Sequence, residues 1–169
     1  MLKKLLLVAL VPLLQACGTF DYKPKEYVLS DGRIPPFQVA GTVQVINLQP
    51  STESTIFFSG AAEWRGDYKR VTEHLRWQLD KEIQKNGTKH SAASQKSIGV
   101  KVSKLSVTKR AFHFSSDIDF TVQLGSGLAL EKHVTQYSPS DVWTVLDGTL
   151  ALGVIEILTD PDVKKYLAE

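Results

Sequence analysis

Residues Asp117 to Leu124 alternate without a break. Ile118, Phe120, Val122 and Leu124 are apolar, while Asp117, Asp119, Thr121 and Gln123 are polar. Strand side chains point to opposite faces with a period of two, so this segment has one face for a core and one for water. The apolar face of such a sheet must be covered by a second layer. Gly125-Ser126-Gly127 turns the chain, and Leu128, Leu130 and Val134 continue as the paired strand. Upstream, Ile98, Val100 and Val102 alternate, then Leu105 and Val107 alternate on the other parity. That switch predicts a bulge near Ser103-Lys104. Gly41 to Leu48, with Val43, Val45, Ile46 and Leu48, reads as a buried strand. One solvated face and short turns predict an antiparallel sheet of four strands.

Two helices supply the cover. In Asp67 to Asn86, Tyr68, Val71, Leu75, Leu79 and Ile83 recur at three- and four-residue steps and form one apolar stripe. Asp67 is placed to cap the start, and Gly87 to end the helix in the left-handed conformation. Trp77 falls on the polar side, roughly opposite Leu75, as a candidate contact residue. Ser138-Pro139-Ser140-Asp141 reads as the start of a second helix, with the Ser138 hydroxyl as N-cap, proline at the first position and an acid three on. The helix runs from Val142 to Leu158, against a competing hairpin signal at Asp147-Gly148. Trp143, Leu146, Leu150, Val154 and Ile157 form its first stripe. Val145, Leu152 and Ile155 point elsewhere, and a second apolar face needs a second partner. That partner is either the C-terminal turn bearing Val163, Tyr166 and Leu167 or another subunit. The expected fold class is α+β: a two-layer sandwich with an antiparallel four-stranded sheet and two helices on one face.

Gln49 to Gly66 is rich in Ser, Thr and Gly and carries Phe57, Phe58 and Trp64. A loop of this length is commonly functional or flexible, so these aromatics are a candidate interaction surface. The alternative is that they fold back and cap the core.

The N-terminus is an address. Met1-Leu-Lys-Lys is followed by an apolar run from Leu5 to Leu14 and then Gln15-Ala16-Cys17. A basic start, about ten apolar residues and a small residue before the break make a secretory signal. The run is shorter than the roughly 20 residues of a membrane span. Removing Met1 to Ala16 leaves 153 of the 169 residues, and takes out Lys3 and Lys4 but no acid, so 20 basic side chains fall to 18 against 18 acidic. A neutral mature chain does not fit a broad nucleic-acid-binding face. Cys17 is the one cysteine, so no internal disulfide forms. From Gly18 to about Gln38, with Pro24, Pro35, Pro36 and no steady period, the chain reads as a loosely held linker that lets a single domain (39–169) stand off a membrane. The alternative is that Tyr22, Tyr27 and Phe37 pack on the domain or a partner.

The ending Leu14-Gln15-Ala16-Cys17 resembles the lipobox of bacterial lipoproteins. The resemblance implies cleavage after residue 16, a covalent lipid on Cys17 and no other cofactor. With Gly18 and not aspartate after it, it implies an outer-membrane address, facing the periplasm. Together with the element order and the ending Leu158-Thr159-Asp160-Pro161-Asp162-Val163, the lipobox is similar to that of the YajG-type lipoproteins of Gram-negative bacteria. Those in turn are similar in fold to envelope accessory lipoproteins that form rings or dock onto secretion machinery. The family implies no catalytic residues.

The residues themselves point the same way. His74, His90, His113 and His133 share no metal-ligand spacing, and two carboxylates at Asp117 and Asp119 make a poor calcium site. No nucleophile elbow or phosphate-cradling glycine loop occurs. The expectation is therefore a non-enzymatic outer-membrane lipoprotein, an accessory or structural subunit that works through contacts with envelope proteins or with itself. The alternative is a carrier or sensor holding a lipid or other apolar ligand between sheet and helices.

Overall fold

The computed structural model describes residues 18–60 and 62–169. Chain order is β1 (Thr19–Asp21), β2 (Phe37–Asn47), β3 (Ser54–Ser59), β4 (Glu63–Asp67), α1 (Tyr68–Asn86), β5 (Gly87–Lys109), β6 (Phe114–Leu124), β7 (Ala129–Ser138), α2 (Val142–Thr159) and α3 (Pro161–Ala168). The class is α+β. The main sheet runs β2-β5-β6-β7, and a second, small sheet runs β1-β4-β3.

The main sheet is mixed, which corrects the expected antiparallel one. β5–β6 and β6–β7 are antiparallel, but β2 and β5 are parallel, with Val45 beside Ile98 and Asn47 beside Val100. The reason is the connection. The chain leaves β2, crosses through α1 and re-enters the sheet in the same direction, as parallel neighbours require. The β2–β5 register breaks at Gly41: Ala40 faces His90, while Thr42 faces Gln95. Gly41 has φ +77°, and a Cβ there would stand 1.9 Å from the Ser94 carbonyl oxygen. Only glycine meets both demands. The bulge near Ser103 is present: Val102 faces Phe120 and Lys104 faces Asp119, leaving Ser103 as the extra residue.

α1 lies over β2 and β5, α2 over β6 and β7, and the two helices touch. The stripe Val71, Leu75, Leu79 and Ile83 is buried, and Asp67 caps α1 by accepting from the Lys69 N–H at 2.8 Å. Two expected caps differ. Gly87 is extended, with φ −81° and ψ 122°, because it already pairs with Phe37 as the first residue of β5. α2 is capped by Asp141, which accepts from the Thr144 N–H at 2.8 Å, because Ser138 still pairs with Phe114 as the last residue of β7. Among the described residues α2 is the one helix long and apolar enough to cross a membrane, yet most of it is buried in protein.

The interior is filled. Leu75, Leu79, Ile118, Phe120, Leu146, Leu150 and Ile157 are fully buried. A Cβ on Gly153 would stand 3.5 Å from both Leu75 Cδ1 and Phe120 Cε1, so α2 sits directly on α1 and the sheet. Such contacts are those of a natively packed interior at the point where α2 crosses α1 and the sheet.

Residues 18–38 are not a free linker. β1 pairs in parallel with β4, and Tyr22, Leu29 and Ile34 are buried in the core. This strap also answers the second face of α2. Leu152 and Ile155, both half-buried, share a cleft with Tyr27, Val28 and Leu29, so the strap is the element that lies beside them. The C-terminal turn is helix α3, whose Val163 and Leu167 are fully buried and which packs mainly against β2. Lys132 of β7 ties this corner: it donates to Asp160 at 2.5 Å and to Glu156 at 3.2 Å.

Candidate functional site

The residues expected to form an interaction surface do not come together. Phe57 is 2% exposed and Val145 is fully buried, so both belong to the core and are corrected as surface candidates. The expected loop Gln49 to Gly66 is largely the β3–β4 hairpin, and its aromatics turn inward. Phe57 packs between Tyr22 and Tyr68, with ring centres 5.9 and 5.7 Å away. Trp64 meets Trp143 edge-on at 4.2 Å, and Phe58 meets Phe114 at 6.0 Å. These aromatics close the end of the core, the second of the two readings. Leu152 and Ile155 are half-buried beside the strap. Cys17 lies outside the described residues, next to Gly18.

Trp77 is different. It is 40% exposed on the outer side of α1. It lines an open cleft of about 420 Å³ with Lys23, Pro24, Arg70, Glu73, His74 and Arg76. Lys81 lies over its ring at 5.6 Å and pairs with Glu26 of the strap. Arg76 donates to Glu73 at 2.7 Å. A half-exposed tryptophan among arginines is the composition of a protein-contact centre.

Below this cleft lies a polar cluster. The Tyr22 hydroxyl donates to Asp147 Oδ1 at 2.7 Å, and the Lys25 N–H donates to the same oxygen at 3.0 Å. Burial, and then the Asp147 carboxylate, hold the Tyr22 phenol well above the ordinary tyrosine value. Burial also raises the Asp147 carboxyl, against the lowering effect of its two donors. Burial lowers His74, whose ring stacks beside Trp77 at 5.4 Å. His74 Nε2 is buried without a hydrogen-bond partner. Tyr22 takes the less favoured of its two readings and packs on the domain. The signal is Asp147 itself, an acid in the middle of a largely apolar helix, where it needs a donor once buried.

The other carboxylate pair is engaged. Asp119 holds His133 Nδ1 at 2.5 Å, and Asp117 accepts from the Thr135 hydroxyl at 2.6 Å. Among the described residues no group of three or more histidine, cysteine or acidic side chains is arranged to hold a metal.

No family model matches the chain, and no curated protein matches it. Among solved structures it is similar to the Xanthomonas campestris protein XCC0632, assigned to the family DUF330. The TM-score is 0.52 and the identity 11%, over 88% of this chain and 95% of that one. A likeness at this identity establishes a shared fold: the chain is a mixed α+β domain of the architecture seen in XCC0632.

Proposed function

We propose that this chain is a non-enzymatic lipoprotein of the outer membrane, anchored by a lipid on Cys17, and that it serves as an accessory or structural subunit of an envelope assembly. The observation that carries the reading is Trp77: a large aromatic left half-exposed over a cleft with Lys23, Arg70 and Arg76, while every other tryptophan packs inward. Burying one such residue at an interface commonly contributes 2 kcal/mol or more, on the order of a binding hot spot. The close approach of α2 to both α1 and the sheet at Gly153 weighs against a ligand held between sheet and helices at that point. The signal-like start and the Leu14-Gln15-Ala16-Cys17 ending support the address. The test is a photoreactive phenylalanine analogue in place of Trp77, irradiated in intact cells. The reading expects a discrete adduct of this chain with a second polypeptide, either an envelope protein or another copy. Adducts at an unrelated exposed site such as Thr88 but none at position 77 would overturn it.

A further inference from the structure

Three features meet at one end of the molecule. The first is the start of the folded chain: the Gly18 carbonyl accepts from the Glu63 N–H at 3.0 Å, beside the β3–β4 turn. The second is that turn itself, since Phe58, just before it, packs on Phe114, the first residue of β6. The third is the β5–β6 turn, closed by the Arg110 N–H donating to the His113 carbonyl at 2.8 Å. At its tip Phe112 is 90% exposed, the most exposed large apolar side chain among the described residues. Beside the turn stands Tyr137, 62% exposed and 5.5 Å from the His113 ring. At the β1–β4 edge Phe20 is 47% exposed and 5.1 Å from Trp64, the cross-strand neighbour of Phe58. Lys109 and Arg110 flank the tip and are exposed.

The missing occupant is identified by where the chain ends. Cys17 is one peptide from Gly18, about 3.8 Å between α-carbons, so a lipid on it would tether this end of the fold close to the bilayer. We infer that this end docks flat on the phospholipid bilayer, with Phe112 inserted in the interface and Lys109 and Arg110 on lipid phosphates. The inference rests on the lipid-anchor reading of Cys17. Aromatic rings at headgroup level and basic side chains beside them are the composition of a membrane-seated surface. A phenylalanine exposed at a turn tip gains apolar burial when acyl chains cover it. The Trp77 cleft, on the outer side of α1, then remains open to a protein partner.

The experiment uses the full acylated chain with Phe112→Cys, the thiol carrying an environment-sensitive fluorophore. A second variant, Lys89→Cys, places the same probe on an exposed residue at the start of β5. Both are reconstituted in phosphatidylethanolamine–phosphatidylglycerol vesicles with and without a lipid-borne quencher, and flotation is scored in parallel. The probe at 112 should brighten several-fold over the probe at 89, be quenched by the lipid-borne quencher and resist iodide. Chains that float while the probe at 112 stays as iodide-sensitive as that at 89 overturn the docking and leave the anchor standing. Shielding from iodide without quenching from lipid means a protein covers the tip, and also overturns it. Chains that do not float overturn the anchor and the docking together.

Discussion

The Tyr22 hydroxyl sits 2.7 Å from the Asp147 carboxylate, joining residues 125 positions apart in the chain. This one bond fixes the N-terminal strap to the middle of α2. Both groups are buried. Asp147 is the acceptor of the Tyr22 hydroxyl and also takes the Lys25 N–H at 3.0 Å, so the strap is tied to α2 at two successive points. Tyr22→Phe keeps the ring between Phe57 and Trp143 but removes the donor. A hydrogen bond to a charged group is worth about 1.5–3 kcal/mol, and that loss should appear in chemical denaturation. Limited proteolysis should then cut within residues 23–33 sooner than in the wild type. Unchanged stability and unchanged cutting would mean the strap is held by packing alone.

Leu75 and Trp77 are two residues apart on α1 and play opposite parts. Leu75 is fully buried, so Leu75→Ala should cost about 2–5 kcal/mol. Trp77→Ala should cost well under half of that in the isolated protein, and its effect should fall on partner capture. Equal destabilisation by the two substitutions would show that Trp77 belongs to the core.

Acid should weaken the fold through His74, Asp141 and Asp160. Burial lowers His74 from its ordinary 6.5, so the unfolded chain takes up this proton first, and stability falls as the pH drops through about that value. The Thr144 N–H holds Asp141 below 3.8. Burial pushes Asp160 up, but Lys132 and two backbone N–H donors outweigh it and leave it below 3.8. Their contribution is present above about pH 4 and is lost as the pH falls through the folded values. Asp147, raised by burial, has the opposite sign and offsets part of the loss. Urea unfolding should therefore give falling stability from pH 8 to 5, and His74→Gln should flatten that limb. A flat wild-type profile would contradict the assignment.

Lys132 binds the α2–α3 corner to β7. Its side chain is 15% exposed and its partner Asp160 10%. Burial pulls Lys132 down, but Asp160 and Glu156 hold it above the ordinary lysine value. Lys132→Met keeps the stem and removes the charge, at a cost of about 1.5–3 kcal/mol at neutral pH. The Asp160 carboxyl resonance, followed by NMR against pH, should titrate higher in the variant. No shift would mean that the backbone N–H donors alone set the Asp160 value.

Periodicity made most of the main sheet and α1 legible. The strands from Ile98 onward and the stripe from Val71 to Ile83 needed only steps of two and of three to four. The β3–β4 hairpin was hidden because Phe57 is an extra residue: Ile56 faces Arg65 and Phe58 faces Trp64, which breaks the alternation a strand should show. The strap was hidden because its anchors, Tyr22, Leu29 and Ile34, are widely spaced in an irregular, proline-containing segment. The parallel β2–β5 pair was foreshadowed by a strand, a helix and a strand in succession, but the hairpin between β2 and α1 obscured it. Of the candidate surface, Trp77 was legible as an exposed aromatic on a polar helix side. Phe112 was not, because exposure of a turn residue depends on tertiary neighbours that the local sequence does not name.

The central claim is a lipid-anchored mature chain that begins at Cys17. Its most direct test is mass spectrometry of the N-terminal peptide from chains isolated from membranes. The account predicts a peptide that starts at Cys17 and carries acyl chains on that residue. A chain that still begins at Met1, or a mature peptide with a free Cys17 thiol, would contradict it.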